Sequence, residues 1–158
     1  MTETRYRPSK MAKIGASALA AAAASLAFAA PAKAAYPTST FSVDAPTAYR
    51  DSANGSITWY NRSVGVQGVV WTTALIDQDN VDHTTAYFEV YDGESKKMNS
   101  TTRTSSGQNN NAWVNYNFTI GDPDGLKAVA RVRVTVCAVR DDGSQTCSRP
   151  TSYGREYA

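Results

Sequence analysis

The sequence predicts an all-β fold, and three observations carry that prediction. Short runs alternate apolar and polar residues with the period of two that a half-buried strand requires. Clusters of Gly, Asp, Asn, Ser and Pro interrupt those runs at close intervals. No segment sustains the roughly 3.6-residue apolar period of a capped helix. Strands this short and this regularly punctuated specify a sandwich or small barrel of about seven strands. Their connections are too short for parallel crossovers, so the pairing is antiparallel. The expected architecture is a single antiparallel β-sandwich, immunoglobulin-like, with one hairpin disulfide.

The first 34 residues read as an export tag rather than as part of that sandwich. Arg5, Arg7, Lys10 and Lys13 form a positive start, Ile14 to Ala30 is apolar and mostly alanine, and Ala32-Lys33-Ala34 supplies a small-x-small cleavage signal before Ala35. Tyr6 separates Arg5 from Arg7, so the twin-arginine pattern is absent and general secretion is expected. The alanine-heavy composition is a habit of high-GC bacteria and suggests an actinobacterial source. The tag also distorts the charge balance. Of 16 Lys and Arg and 14 Asp and Glu, five basic residues and one acid lie in it, leaving 11 and 13, a net of −2. The remaining 124 residues make one domain with a modest core. They carry no basic stripe of the kind nucleic acid requires. No later run approaches the roughly 20 apolar residues of a membrane span. The expected localisation is therefore extracellular, with no nucleic acid or membrane as partner.

From Ala35 to Tyr49 the chain reads as an extended N-terminal arm, residues 35–49, leading into a sandwich over 50–158. Pro37 and Pro46 bracket it and disfavour helix. Phe41 and Val43 alternate with Thr40 and Ser42, as a short strand would. An extended arm can add to a partner's sheet edge, which makes Tyr36, Phe41 and Val43 candidate partner-binding residues. The alternatives are the first strand of its own sheet or a mobile terminus.

Asp51-Ser52-Ala53-Asn54-Gly55 reads as a turn cluster. Ser56 to Tyr60 is β-branched and aromatic, and Ser63 to Thr73 places Val64, Val66 and Val70 on one face. Gly65 and Gly68 in that run suggest a bulge or a close backbone approach. Asp77 to Thr85 is polar loop. Ala86 to Tyr91 alternates, with Phe88 and Val90 opposite Tyr87, Glu89 and Tyr91. Lys97 to Thr104 is a polar strand suited to a sheet edge, and Ser105 to Asn111 is loop. Trp113 to Ile120 sends Val114, Tyr116, Phe118 and Ile120 one way and Asn115, Asn117 and Thr119 the other. The final long strand, Ala128 to Arg140, puts Val132, Val134, Val136 and Ala138 in the core.

An even number of cysteines in an exported chain implies a disulfide, Cys137–Cys147. If Asp141-Asp142-Gly143 is a three-residue hairpin loop with Gly143 left-handed, Arg140 pairs with Ser144. Cys137 then falls directly opposite Cys147, within bridging distance. Such a bond staples one hairpin. It differs from the inter-sheet bridge of antibody domains, whose Cys…Trp…Cys spacing is also missing.

Catalytic chemistry is not visible. His83 is the lone histidine, in a polar loop beside Asp82, and no Gly-x-Ser-x-Gly elbow supplies a nucleophile. The acidic run Asp77 to Asp82 fails the EF-hand pattern, because Asp82 and Phe88 stand where glycine and glutamate are needed. A looser calcium site from Asp77, Asp79 and Asp82 is the alternative to a solvated acidic turn, and the turn is preferred. No catalytic residue, metal or cofactor is assigned. Exposed aromatics beside polar side chains are platforms for sugar rings or anchors at interfaces, which singles out Tyr87, Tyr91 and Trp113.

The run Ser56-Ile57-Thr58-Trp59-Tyr60-Asn61-Arg62-Ser63-Val64-Gly65-Val66-Gln67-Gly68 resembles a recurrent stretch in small secreted proteins of actinobacteria. The Val132-Arg133-Val134-Thr135-Val136-Cys137 strand, with a second cysteine nearby, is similar too. Some β-proteins of this kind are adaptors in the secreted umbrella toxin particles of streptomycetes. That resemblance implies a non-enzymatic protein-interaction module whose extended arm docks on a secreted partner. A carbohydrate- or envelope-binding module built on the exposed aromatics is the second expectation.

Overall fold

The computed structural model describes residues 36–47, 51–72, 81–106 and 112–155. Nine strands occur among them: β1 (Thr38–Asp44), β2 (Ser52–Trp59), β3 (Ser63–Thr72), β4 (Val81–Tyr91), β5 (Lys97–Ser106), β6 (Ala112–Gly121), β7 (Arg131–Arg140), β8 (Gln145–Cys147) and β9 (Thr151–Gly154). They form two sheets, β1-β2-β3-β6 and β5-β4-β7-β8, with β9 also on β7. Every pairing is antiparallel. The fold is the expected all-β sandwich. The export tag and the expected cleavage site lie outside the described residues.

The core follows the period-two pattern. Ile57, Trp59, Val64, Val66 and Val70 of the first sheet meet Phe88, Val90, Val132, Val134 and Val136 of the second, all fully buried. Phe88 is the hub. Its ring centroid lies 5.9 Å from that of Phe41, 5.4 Å from Tyr116 and 5.2 Å from Phe118, each close to edge-on. Edge-to-face aromatic pairs add about 0.5–1.5 kcal/mol each beyond their burial. The one polar atom of the Trp59 ring is satisfied: Nε1 donates to Ser39 Oγ at 2.9 Å.

The arm expectation is corrected here. Residues Thr38–Asp44 pair with Thr58–Ser52 along their whole length, so the segment is an edge strand of the same sandwich. Phe41 and Val43 are core residues, buried between the sheets and unable to face a partner. Alternation at Phe41 and Val43 gives a strand in either reading; only the pairing partner differs. The domain therefore begins before residue 50. Tyr36 remains exposed, its ring edge-on to Tyr60 at 4.9 Å.

Two strands also start earlier than their composition suggests. Ser52 to Gly55 is strand rather than turn, because β1 and β3 hydrogen-bond to it on both sides. Val81 to Thr85 is strand rather than loop, and Thr84 and Thr85 are buried in it. The last short strand, Thr151–Gly154, has no counterpart in the sequence expectation.

The hairpin disulfide forms as expected. Gly143 is left-handed, with φ of 80°. Arg140 N–H donates to Ser144 O at 2.9 Å, which closes the three-residue loop. Cys137 pairs with Cys147, Cα to Cα 4.0 Å, and the two are bonded. Closing so short a loop stabilises by about 3 kcal/mol in the chain-entropy model.

Candidate functional site

The outer face of the first sheet is the most distinctive surface. β1 and β3 bury alternate residues and β2 and β6 follow the same period with two departures, a buried Ser52 and an exposed Val114, so the other set points outward. The register sorts these into rows across the sheet. The first row is Asp44, Ser52, Trp71, Trp113, and the next is Ser42, Asn54, Val69, Asn115. The third is Thr40, Ser56, Gln67, Asn117, and the last is Thr38, Thr58, Gly65, Thr119. Asp44 is the one formal charge in these rows. The rest is hydroxyl, amide, one valine, one glycine and two tryptophans.

The aromatics lie at the two ends of this face. Trp71 and Trp113 are direct cross-strand partners, 37% and 65% exposed. Such partners have Cβ atoms about 4.5–5.5 Å apart, so the two indoles share one patch. At the far end Tyr60 covers Gly65: a methyl built there would lie 3.0 Å from the Tyr60 hydroxyl. Tyr36 stacks edge-on against Tyr60. The first and last rows are six residues apart, which is about 20 Å along a strand. A sheet face of this make-up offers apolar ring faces with neutral donors and acceptors between them.

The expected aromatic face is corrected in two respects. Trp113 lies on the outside of the first sheet, whereas Tyr87 and Tyr91 lie on the outside of the second, because β6 and β4 belong to different sheets. The three do not converge. Tyr91 is also only 6% exposed, since the Arg131 and Arg133 guanidinium carbons lie 4.7 and 5.0 Å from its ring centroid. Tyr87 is half-buried in an open groove of about 550 Å³, with Glu89, Lys97, Ser100, Thr102 and Thr135. The residue that sequence reasoning missed is Trp71. Its signal was available: it stands out of phase with Val64, Val66 and Val70 on the same strand, so it had to face out.

Glu89 organises the charged end of the second sheet. Arg133 Nε donates to Glu89 Oε2 at 2.6 Å, the Tyr91 hydroxyl does so at 3.1 Å, and Lys97 Nζ reaches Oε1 at 3.3 Å. Burial opposes ionisation of Glu89, but these bonds outweigh it and hold its carboxyl below the usual range. Burial, then the Glu89 carboxylate, push the Tyr91 hydroxyl above its ordinary value. His83 sits on β4, not in a loop, with Nδ1 2.8 Å from Asp82 Oδ2. Asp77 and Asp79 lie outside the described residues. Among the described residues no three His, Cys, Asp or Glu side chains converge as a metal cluster.

No family model matches the chain. No curated protein matches it either. Among solved structures it is similar to a crystal structure of an endonuclease/exonuclease/phosphatase from Beutenbergia cavernae, at 16% identity over 73% of this chain, with a TM-score of 0.37. The chain spans 27% of the length of that protein. A likeness this slight carries nothing about activity.

Proposed function

We propose that the protein is a secreted, non-enzymatic recognition module that binds neutral polysaccharide on the outer face of its first sheet. The observation that carries this reading is the almost uncharged platform with Trp71 and Trp113 side by side at one end. Sugar rings stack their apolar faces on aromatic rings, and their hydroxyls pair with amides and hydroxyls. Neutral groups serve that pairing without the desolvation cost of a buried charge. The test is retention on chitin, cellulose and peptidoglycan, with isothermal titration on whichever polymer retains the protein. Trp113→Ala and Trp71→Ala are expected to weaken binding about thirtyfold each, the size of an interfacial aromatic hot spot of about 2 kcal/mol. No retention on any of the three, or retention indifferent to both substitutions, would dispose of the reading.

A second reading, an adaptor subunit of an extracellular toxin complex, is favoured by the open edge of β1. Trp59 N–H donates to Pro37 O and Ala45 N–H to Asp51 O, at 2.9 and 2.7 Å. The odd-numbered residues between them therefore bond inward to β2, and the backbone groups of Thr38, Thr40 and Asp44 face an edge that no other described strand pairs with. A partner strand could add there. Docking then uses the edge of β1 rather than a free arm. Thr40→Pro removes one outward N–H and leaves the β2 ladder intact. Loss of a co-purifying secreted partner from culture medium is the expected result; equal recovery from wild type and variant would sink this reading.

A further inference from the structure

The outer face of the second sheet carries more positive charge than it neutralises. Lys97, Arg131 and Arg133 gather around Tyr91, and Glu89 is the carboxylate that answers them. Arg133 meets Glu89 through two nitrogens, Nε at 2.6 Å and a terminal nitrogen at 2.5 Å. Lys97 takes the other carboxylate oxygen. Arg131 has no acidic partner among the described residues. Its guanidinium rests on the Tyr91 ring, and its buried Nε has no hydrogen-bond acceptor.

Two facts make this arrangement costly as it stands. Arg131 and Arg133 stand two residues apart on one strand face and lean on the same ring, so like charges converge. A buried N–H without an acceptor has given up its bond to water and gained none in return. The residue opposite Arg131 on β9 is Gly154, so no side chain from that strand competes for its guanidinium. A planar guanidinium with free donors, backed by a second cation, matches the paired oxygens of a carboxylate or phosphate.

We propose that Arg131, with Arg133 and Lys97 as supporting cations, forms a binding site for an oxyanion carried by a ligand. Arg131 supplies the free donors. Tyr91 fixes the plane of the guanidinium, and Glu89 holds Arg133 and Lys97 in place without neutralising all three charges. The site lies on the sheet opposite the tryptophan platform, so it stands or falls independently of the polysaccharide reading.

The test is titration of the folded, disulfide-bonded protein, observing the Arg131 side-chain Nε–H by NMR. The probes are inorganic phosphate and acetate as free anions, and polyphosphate and polygalacturonate as polymers. Saturable shifts of that proton are expected with at least one probe. Preference for a polymer whose affinity falls steeply with salt would identify a polyanion as the source; equal response to free phosphate would identify a small ligand. Arg131→Gln is expected to weaken binding at least tenfold, while Arg149→Gln, at an exposed position on the β8–β9 connection, leaves it unchanged. Should Arg131→Gln fail to fold, Arg131→Lys keeps the charge but loses the planar donors and is expected to weaken binding several-fold. An Arg131 Nε–H that does not move with any probe, or affinity retained in the folded Arg131 variants, would overturn the proposal.

Discussion

A chain that starts at Arg50 is expected to lose its cooperative fold. Such a truncation deletes β1, which removes Phe41, Val43 and Ala45 from the core. It also strips the hydrogen-bond acceptor from the buried Trp59 ring nitrogen and bares the β2 edge along its full length. Emptying the Phe41 site alone costs about 3–5 kcal/mol by analogy with Phe-to-Ala substitutions in other cores. The lost valine and the orphaned indole N–H add to that. A domain has only about 5–15 kcal/mol of stability in total, so the deletion removes most or all of it. Near-UV circular dichroism and thermal melting of the two chains would check this. A truncated chain that melts cooperatively at the full-length temperature would show that β1 is dispensable. Phe41→Ala, in the full chain, is the milder form of the same test.

Gly68→Ala is expected to be the most damaging single methyl in the protein. A methyl built there lies 2.0 Å from the Asn54 carbonyl oxygen, 2.8 Å from the Gly55 Cα and 2.7 Å from the Tyr116 hydroxyl. The first two are backbone atoms and cannot rotate away. The β2 and β3 strands would have to part where Gly55 and Gly68 face each other, and the Tyr116 hydroxyl would lose its 3.2 Å bond to Asn54 O. Overpacking a well-filled interior costs about 1–3 kcal/mol and sometimes more, and a clash between two backbones belongs at the upper end. Gly93→Ala is the control, because nothing lies within 4 Å of a methyl there. Urea unfolding should separate the two by about 3 kcal/mol. A Gly68→Ala protein within about 1 kcal/mol of wild type would contradict the close approach.

Both predictions bear on how much of this molecule was legible before its structure. The alternation in β6 and β7 could be read directly, because a strand with one buried face must place apolar residues at every second position. The hairpin disulfide was legible for a similar reason: once Gly143 takes the left-handed turn position, counting residues puts Cys137 against Cys147. Gly55 and Gly68 illustrate the limit. A glycine in a strand signals a bulge or a close approach, but only the register shows that these two face each other.

The errors have a common cause. Ser52 to Gly55 and Val81 to Thr85 are rich in turn-forming or polar residues, and local propensity assigned them to turn and loop. Pairing from neighbouring strands overrides such propensities, because each backbone group in a sheet gains a partner whatever its side chain is. Trp71 stands out of phase with the valines of its strand, but only the pairing of β3 with β6 sets it beside Trp113.

The sequence by itself determined the class of fold, the core face of the well-patterned strand β7, and the hairpin staple. These rest on short-range physics: side-chain period, turn conformation and the spacing of cysteines. The tertiary structure decided that the leading segment completes its own sheet, that Trp71 meets Trp113 while Tyr87 lies on the opposite side, and that Arg131 has no carboxylate partner among the described residues. Each of these depends on which strands become neighbours across long stretches of chain. That choice is made by packing two sheets against one core, and no local run of residues contains it.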